Sequence, residues 1–181
     1  MESLRGQLLV ASPALMDPNF HRAVVLVVEH SDEGALGLVL NRLSPGEVAE
    51  VGPPLDELIA PGERIHLGGP VETGAVLVVA EFDDPEEAAS LLVGDIGLVP
   101  GDGDFEALSG RTRRARVFAG YAGWGPGQLD AELAEEAWIV EPADPDDVFS
   151  DSAEELWAEV LRRKGGPYAL VARMPPDPSV N

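Results

Sequence analysis

The sequence predicts an α+β domain. Short apolar runs bounded by turn residues recur along the chain, as strands do, and three or four other segments carry helical signals. The two kinds of segment follow no strict alternation, which separates this pattern from a doubly wound α/β sheet.

The elements follow in order. Leu8–Ala11 predicts a short apolar strand, and Asp17-Pro18 after it marks a turn. Ala23–Val28 is a continuous apolar run rich in β-branched residues, the mark of a strand buried on both faces. Ser31–Gly34 then predicts a four-residue hairpin loop, with Leu36–Leu40 as the returning strand. Ser44–Pro54 is rich in turn residues and predicts a loop. Leu55–Ile59 predicts a short helix, and Ile65–Leu67 leads into the tight loop Gly68-Gly69-Pro70. Ala75–Phe82 and Asp95–Val99 predict strands, with a turn or two of helix opened by Pro85 between them. Asp104–Leu108 predicts a helix closed by Gly110. Arg116–Tyr121 predicts a strand, Ala122–Pro126 a loop and Gln128–Ala137 a helix with Leu129 and Leu133 on one face. Trp138–Val140 predicts a strand and Pro142–Pro145 a loop. Ser152–Lys164 carries the clearest helical signal. Ser152 and Glu155 have capping-box spacing, Leu156, Trp157, Val160 and Leu161 form a stripe, and Gly165 follows three basic residues.

The chain has 181 residues, one domain's worth, with residues 1–174 as the domain and 175–181, three prolines in seven, as a flexible tail. There is no cysteine, so neither a disulfide scaffold nor a thiol nucleophile exists. No apolar run approaches the roughly 20 residues a membrane helix needs, and no leader pattern stands at the start. These features predict a cytoplasmic protein without a membrane partner. The formal charge of −21, from 33 acids against 12 bases, argues against a general nucleic-acid surface, because phosphate neutralisation needs Lys and Arg.

Four segments together resemble the YqgE/AlgH family: LLVASPALMDPNFHRAVVLVVEH from Leu8, EGALGLVLNR from Glu33, HLGGPV from His66 and AGYAGWGPGQLDAELAEEAWIV from Ala119. The fourth is the most specific. Leu43 stands where the family usually has a proline after Asn-Arg. The resemblance implies a strongly bent, bifurcated mixed or antiparallel sheet that folds into a pseudo-barrel flanked by a few helices, and a bacterial cytosolic setting. It implies no reaction. Some members carry the description of transcriptional regulator, which names a phenotype.

The residues offer these candidates for chemistry. The loop Ala119–Leu129 has four glycines with Tyr121, Trp124 and Gln128. It reads either as the wall of a ligand site, with Gly127 and Gln128 at a helix start, or as a structural turn with Trp124 on the core and Gln128 capping the helix. It has neither the Lys-Ser/Thr of a P-loop nor a GxGxxG. His66 with Gly68 and Gly69 forms a second such loop. Arg22 and Arg42 stand at the polar ends of the hairpin strands beside Asn41. They read either as a clamp for a carboxylate or phosphate or as ion pairs with acids such as Asp17. His21, His30 and His66 do not converge, and no zinc spacing or GxSxG exists, so the sequence predicts no metal, no cofactor and no catalytic residue. Arg111, Arg113, Arg114 and Arg116 read either as a nucleic-acid patch or as a solvated strand edge balancing Asp102, Asp104 and Glu106. Twelve acids without a base lie between Leu129 and Val160, a solvated face or a docking face for a basic partner.

The expected site comprises Arg22, Asn41, Arg42, His66, Gly68, Gly69, Tyr121, Trp124, Gly127 and Gln128. The expected function is a non-catalytic binding or regulatory module for a small anionic ligand or a protein partner. The alternatives are an enzyme acting on a small phosphorylated or acyl substrate and, disfavoured by charge, a DNA-binding regulator.

Overall fold

The structure, a computed structural model, describes residues 2–48, 55–102 and 104–176. Its organising element is the buried strand β2 (Val24–Ser31), flanked by β1 (Gln7–Ala11) and β3 (Gly34–Val39). Even-numbered residues of β2 face one apolar cluster and odd-numbered residues the other. That double burial explains why the run is continuously apolar rather than alternating. The β2–β3 turn is tighter than the predicted four-residue loop, because Ser31 pairs with Gly34.

The remaining strands are β4 (Leu43–Glu47), β5 (Arg64–Leu67), β6 (Val71–Phe82), β7 (Ser90–Val93), β8 (Ile96–Leu98), β9 (Thr112–Trp124) and β10 (Trp138–Pro142). The hydrogen-bonded order is β10-β1-β2-β3-β9-β6-β8-β7, with β4 and β5 branching off β9. Pairing is antiparallel except for β5 on β9. The sheet bends until residues of β1, β2 and β8 share one cluster with Phe118, yet it does not close: the ladder ends at β10 and β7. Arg5 bridges the open side by donating to Leu91 O at 2.6 Å.

The fork of the sheet lies on β9. One edge of β9 pairs with β6 along most of its length, while the other is shared between β5 at Phe118 and Ala119 and β3 at Ala122–Trp124. The change of partner occurs at Gly120, whose φ is +72°, a conformation that disfavours a side chain. A Cβ there would stand 2.6 Å from Gly69 O, and one on Gly68 would stand 2.3 Å from Gly120 O. Backbones cross at the fork with no space for side chains.

Helices cover the outer faces. Those described are α1 (Leu55–Leu58), α2 (Phe105–Ser109), α3 (Gln128–Ala134), α4 (Pro145–Val148), α5 (Leu156–Lys164) and α6 (Pro167–Val171). The α1 and α2 helices pack on β6 and β9 through Leu58, Phe82, Leu108 and Val117. Leu129 of α3 packs on the odd face of β2. The stripe of α5 is buried as expected, and Trp157 Nε1 donates to Ala11 O at 2.8 Å, fixing the helix to β1.

Several expectations change. The predicted loop Ser44–Pro54 begins as β4, because backbone pairing with β5 overrides turn-rich composition; residues 49–54 lie outside the described residues. The predicted loop Pro142–Pro145 ends at α4, which Asp144 and Asp147 cap reciprocally. The segment before α5 is a turn in which Ser152 O accepts from Glu155 N and Leu156 N, so the predicted capping box does not form and Glu155 is the N-cap. The stretch expected to hold a turn or two of helix is a single 3-10 turn at Pro85–Glu87. Of the expected tail 175–181, residues 177–181 lie outside the described residues. No helix among the described residues is long and apolar enough to cross a membrane.

Candidate functional site

The expected site residues separate into three groups. Gly68, Gly69 and Tyr121 lie at the sheet fork, where Gly69 packs against the Tyr121 backbone. Trp124, Gly127 and Gln128 lie beyond it, at the end of β3 where Ala35 pairs with Trp124. Arg22, Asn41 and Arg42 lie at the opposite end of β3, close to His66 on β5. At about 3.3 Å per residue the two ends of β3 stand roughly 20 Å apart. Among the described residues, the arginines line one cavity and Trp124 and Gln128 do not line it.

The Trp124 group is self-contained. Trp124 is 6% exposed and packs with Phe20 and Trp138, at ring distances of 6.3 and 6.0 Å. Glu132 accepts from Trp138 Nε1 at 3.1 Å, Trp124 Nε1 at 3.4 Å and Gln128 Nε2 at 3.2 Å. Gln128 Oε1 accepts from Gly125 N at 3.0 Å, and Gly127 adopts the left-handed conformation that starts α3. The polar side-chain groups of Trp124 and Gln128 therefore all have partners within the fold.

The arginine group is different. Asn41, 8% exposed, pins the two strands: its Oδ1 accepts from Val24 N and its Nδ2 donates to Arg22 O, both at 2.9 Å. This holds Arg22 at φ +57°, uncommon for a residue with a side chain, and strain of that kind gathers at functional sites. The Arg22 guanidinium lies 4.2 Å from the centre of the Trp157 ring and donates to Met174 O. Arg42 donates to His21 O and, at 3.3 Å, to Asn41 O. His21 Nε2 lies 3.0 Å from Pro176 O. The four side chains His21, Arg22, Asn41 and Arg42 line a cavity of about 520 Å³ walled on the far side by Glu154, Glu155 and Pro176. Burial lowers the pKa of both arginines from the ordinary value. Neither forms an ion pair with a carboxylate among the described side chains, so the expected pairing with Asp17 is not made; Asp17 instead accepts from Asn19 N at 2.8 Å.

A smaller cavity of about 170 Å³ adjoins across Ala153, lined by His66, Arg116, Glu63 and Asp151 among others. Burial, followed by the charge of Arg116, pushes the His66 pKa down to about 4. Arg116 is 3% exposed, so it is not part of a solvated edge as expected. It reaches Glu63 at 3.4 Å and Asp151 at 3.2 Å. Arg111 pairs with Glu87, Arg113 with Asp95, and Arg114 with Glu81 and Asp146. These partners replace the expected Asp102, Asp104 and Glu106, because β9 meets β6 and the α4 segment there. Bidentate Arg163–Asp147 contacts, at 2.9 and 2.7 Å, fix α4 to α5 and thereby place the Ser150–Glu155 segment over both cavities.

Sequence reasoning missed His21, Trp157 and Arg116 as parts of this region. Arg116 had a readable signal, a charge between Ala115 and Val117 at the point where the arginine-rich start of the strand gives way to its apolar run. Among the described residues no cluster of three or more His, Cys, Asp or Glu is arranged to hold a metal ion.

Comparison with known proteins places this geometry. Residues 8–169 match the AlgH-like (DUF179) family. A UPF0301 protein of Streptomyces coelicolor is 47% identical over 187 residues, covering 100% of this chain and 97% of that protein. A UPF0301 protein of Chlorobaculum tepidum is 38% identical, covering 97% of this chain and 95% of its own length. Among solved structures, a crystal structure of a Corynebacterium diphtheriae protein matches with a TM-score of 0.87 at 30% identity, over 95% of this chain and 93% of that one. The solution structure of the AlgH protein from Pseudomonas aeruginosa matches with a TM-score of 0.72 at 33% identity, over 96% and 95%. With sequence and fold in agreement over nearly its whole length, this chain belongs to the AlgH-like family.

Proposed function

We propose that the protein is a non-catalytic binding or regulatory module whose site is the Arg22–Arg42 cavity and whose ligand is a small anion bearing a carboxylate or phosphate. One observation carries this: in a chain of net charge −21, two half-buried guanidiniums share a cavity of about 520 Å³ and neither has a carboxylate partner among the described side chains. Desolvated arginines are expensive without a counter-charge, and their planar forks suit carboxylate and phosphate oxygens. His66 supports a role without acid–base chemistry, since a histidine pushed down to about 4 is a poor base near neutral pH. Direct reading of nucleic acid finds little support, because each arginine of the Arg111–Arg116 cluster already meets a carboxylate. A bacterial cytoplasmic setting agrees with the relatives' sources and with the cysteine-free sequence.

Calorimetric titration with inorganic phosphate tests the site. The intact protein is expected to bind, and R22Q/R42Q to bind at least about tenfold more weakly, the loss expected from one charged hydrogen bond. Gln keeps a shorter polar side chain without the charge, and an unchanged melting temperature of the variant checks that the fold survives. Undiminished binding by the double variant overturns the proposal.

A further inference from the structure

We propose that the His66–Arg116 cavity is a binding site for hydroxyl groups, and that the ligand of this protein is a phosphorylated polyol spanning both cavities. This rests on the anion reading of the Arg22–Arg42 cavity and names the class of molecule that would occupy it.

Two side chains carry the inference, each 3% exposed and each with one ring or guanidine nitrogen left over. His66 Nδ1 lies 3.3 Å from Arg64 O, which only accepts, so Nδ1 bears the proton. The neutral ring then presents Nε2 as a bare acceptor, without a partner among the described residues. Burial and the neighbouring Arg116 charge keep the ring neutral throughout the physiological range. Arg116 donates through Nη1 to Ser150 O at 2.8 Å and to Val148 O at 3.3 Å, and through Nη2 to Glu63 and Asp151. Its Nε is buried and has no partner.

His66 Nε2 is thus an unused acceptor on a cavity of about 170 Å³ that Arg116, Glu63 and Asp151 also line, while the orphaned Arg116 Nε lies behind the cavity surface. A hydroxyl group donates to this lone pair, or to the carboxylate oxygens beside it, without bringing a charge. An anion fits poorly, because it meets the His66 lone pair and because the cation here, Arg116, is already paired with Glu63 and Asp151. The cations without carboxylate partners lie next door. Ala153 lines both cavities, and the consecutive residues Arg42 and Leu43 line one each. The shared Ala153 sets the two cavities side by side, so a small molecule with its phosphate at the arginines directs its hydroxyls toward His66. The smaller cavity has room for several water-sized groups, which suits a short polyol chain and equally a cluster of waters.

Matched probes separate these. Methyl phosphate and glycerol 3-phosphate are both phosphate monoesters, and only the second carries hydroxyls. Calorimetry on the full chain is expected to give at least tenfold tighter binding for glycerol 3-phosphate. In ¹⁵N-histidine-labelled protein, glycerol 3-phosphate is expected to move the His66 Nε2 resonance and methyl phosphate to leave it unmoved. A153L, which narrows the junction without touching either set of polar groups, is expected to retain methyl phosphate binding and reduce the preference below threefold. Equal affinity for the two esters, or a static His66 resonance in the glycerol 3-phosphate complex, overturns the inference with the arginine site intact and leaves water as the occupant. Failure of both esters to bind overturns the arginine reading and this inference together.

Discussion

The loop around Trp124 and the cavity around Arg22 contrast two uses of polar residues. The loop has the most distinctive sequence in the chain, yet the fold consumes its chemistry: Glu132 accepts from two indoles and an amide, and Gln128 returns to Gly125. The cavity comes from plain dipeptides, His21-Arg22 and Asn41-Arg42, yet it keeps guanidinium donors that the described side chains do not neutralise. A rare motif therefore marks a place where the fold is hard to build, and unneutralised charge marks the place we propose for a ligand.

The contrast breaks most sharply at the fork. Gly120→Ala adds a Cβ 2.6 Å from Gly69 O at a left-handed φ. Conformational strain and overpacking together are expected to cost about 3 kcal/mol. Urea unfolding measures this. A loss under about 1 kcal/mol would show that the fork tolerates side chains and that Gly68 and Gly69 have some other use.

Acidification probes the other end. His66 titrates near 4 in the folded chain against about 6.5 unfolded. Between those values the unfolded state binds more protons, so stability is full above about 6.5 and falls as pH drops toward 4. The loss is on the order of 2 to 3 kcal/mol over that window. His66→Phe is expected to flatten that part of the stability–pH curve. An unchanged slope would mean His66 does not carry it.

Glu132→Ala tests the closed character of the loop. It leaves the indoles of Trp124 and Trp138 without their acceptor, an expected loss of about 2 kcal/mol. Phosphate affinity at the arginine cavity, roughly 20 Å away along β3, is expected to stay unchanged. A parallel fall in affinity would join the two regions into one site.

How far these regions were legible follows from what each depends on. β2 was readable because double burial writes itself as an unbroken apolar run from Ala23 to Val28. The meeting of Arg22 with Arg42 was readable because hairpin pairing fixes which strand ends are neighbours. β4 was not, since its pairing with β5 depends on a partner about 20 residues on, while Ser44, Pro45 and Gly46 locally favour a turn. The separation of Trp124 from His66 was equally hidden. Trp124 ends β9 and His66 lies on β5 beside it, and the change of partner at Gly120 sets them apart: His66 pairs with Phe118 before it and Trp124 with Ala35 beyond it. Arg116 looked like part of a charged edge because β9 alternates sides, and the acids it meets come from Glu63 and Asp151, both more than 30 residues away.

The smallest expected effect concerns occupancy of the cavity by the chain itself. Met174 O accepts from Arg22, and Pro176 O lies 3.0 Å from His21 Nε2. These carbonyls use donors that an anion would use, so the segment after α6 would compete with the proposed ligand. Pro175 and Pro176 limit its conformational freedom and lower the entropy cost of holding it there. Replacing both with Gly raises that cost, by roughly 0.4–1 kcal/mol per proline where the native conformation suits proline. Phosphate affinity is expected to rise about fourfold or more in P175G/P176G, with a melting temperature close to that of the parent because these residues are exposed. Unaltered affinity would show that the two carbonyls do not compete with the anion, and would place its contacts on Arg42 and on the free face of Arg22.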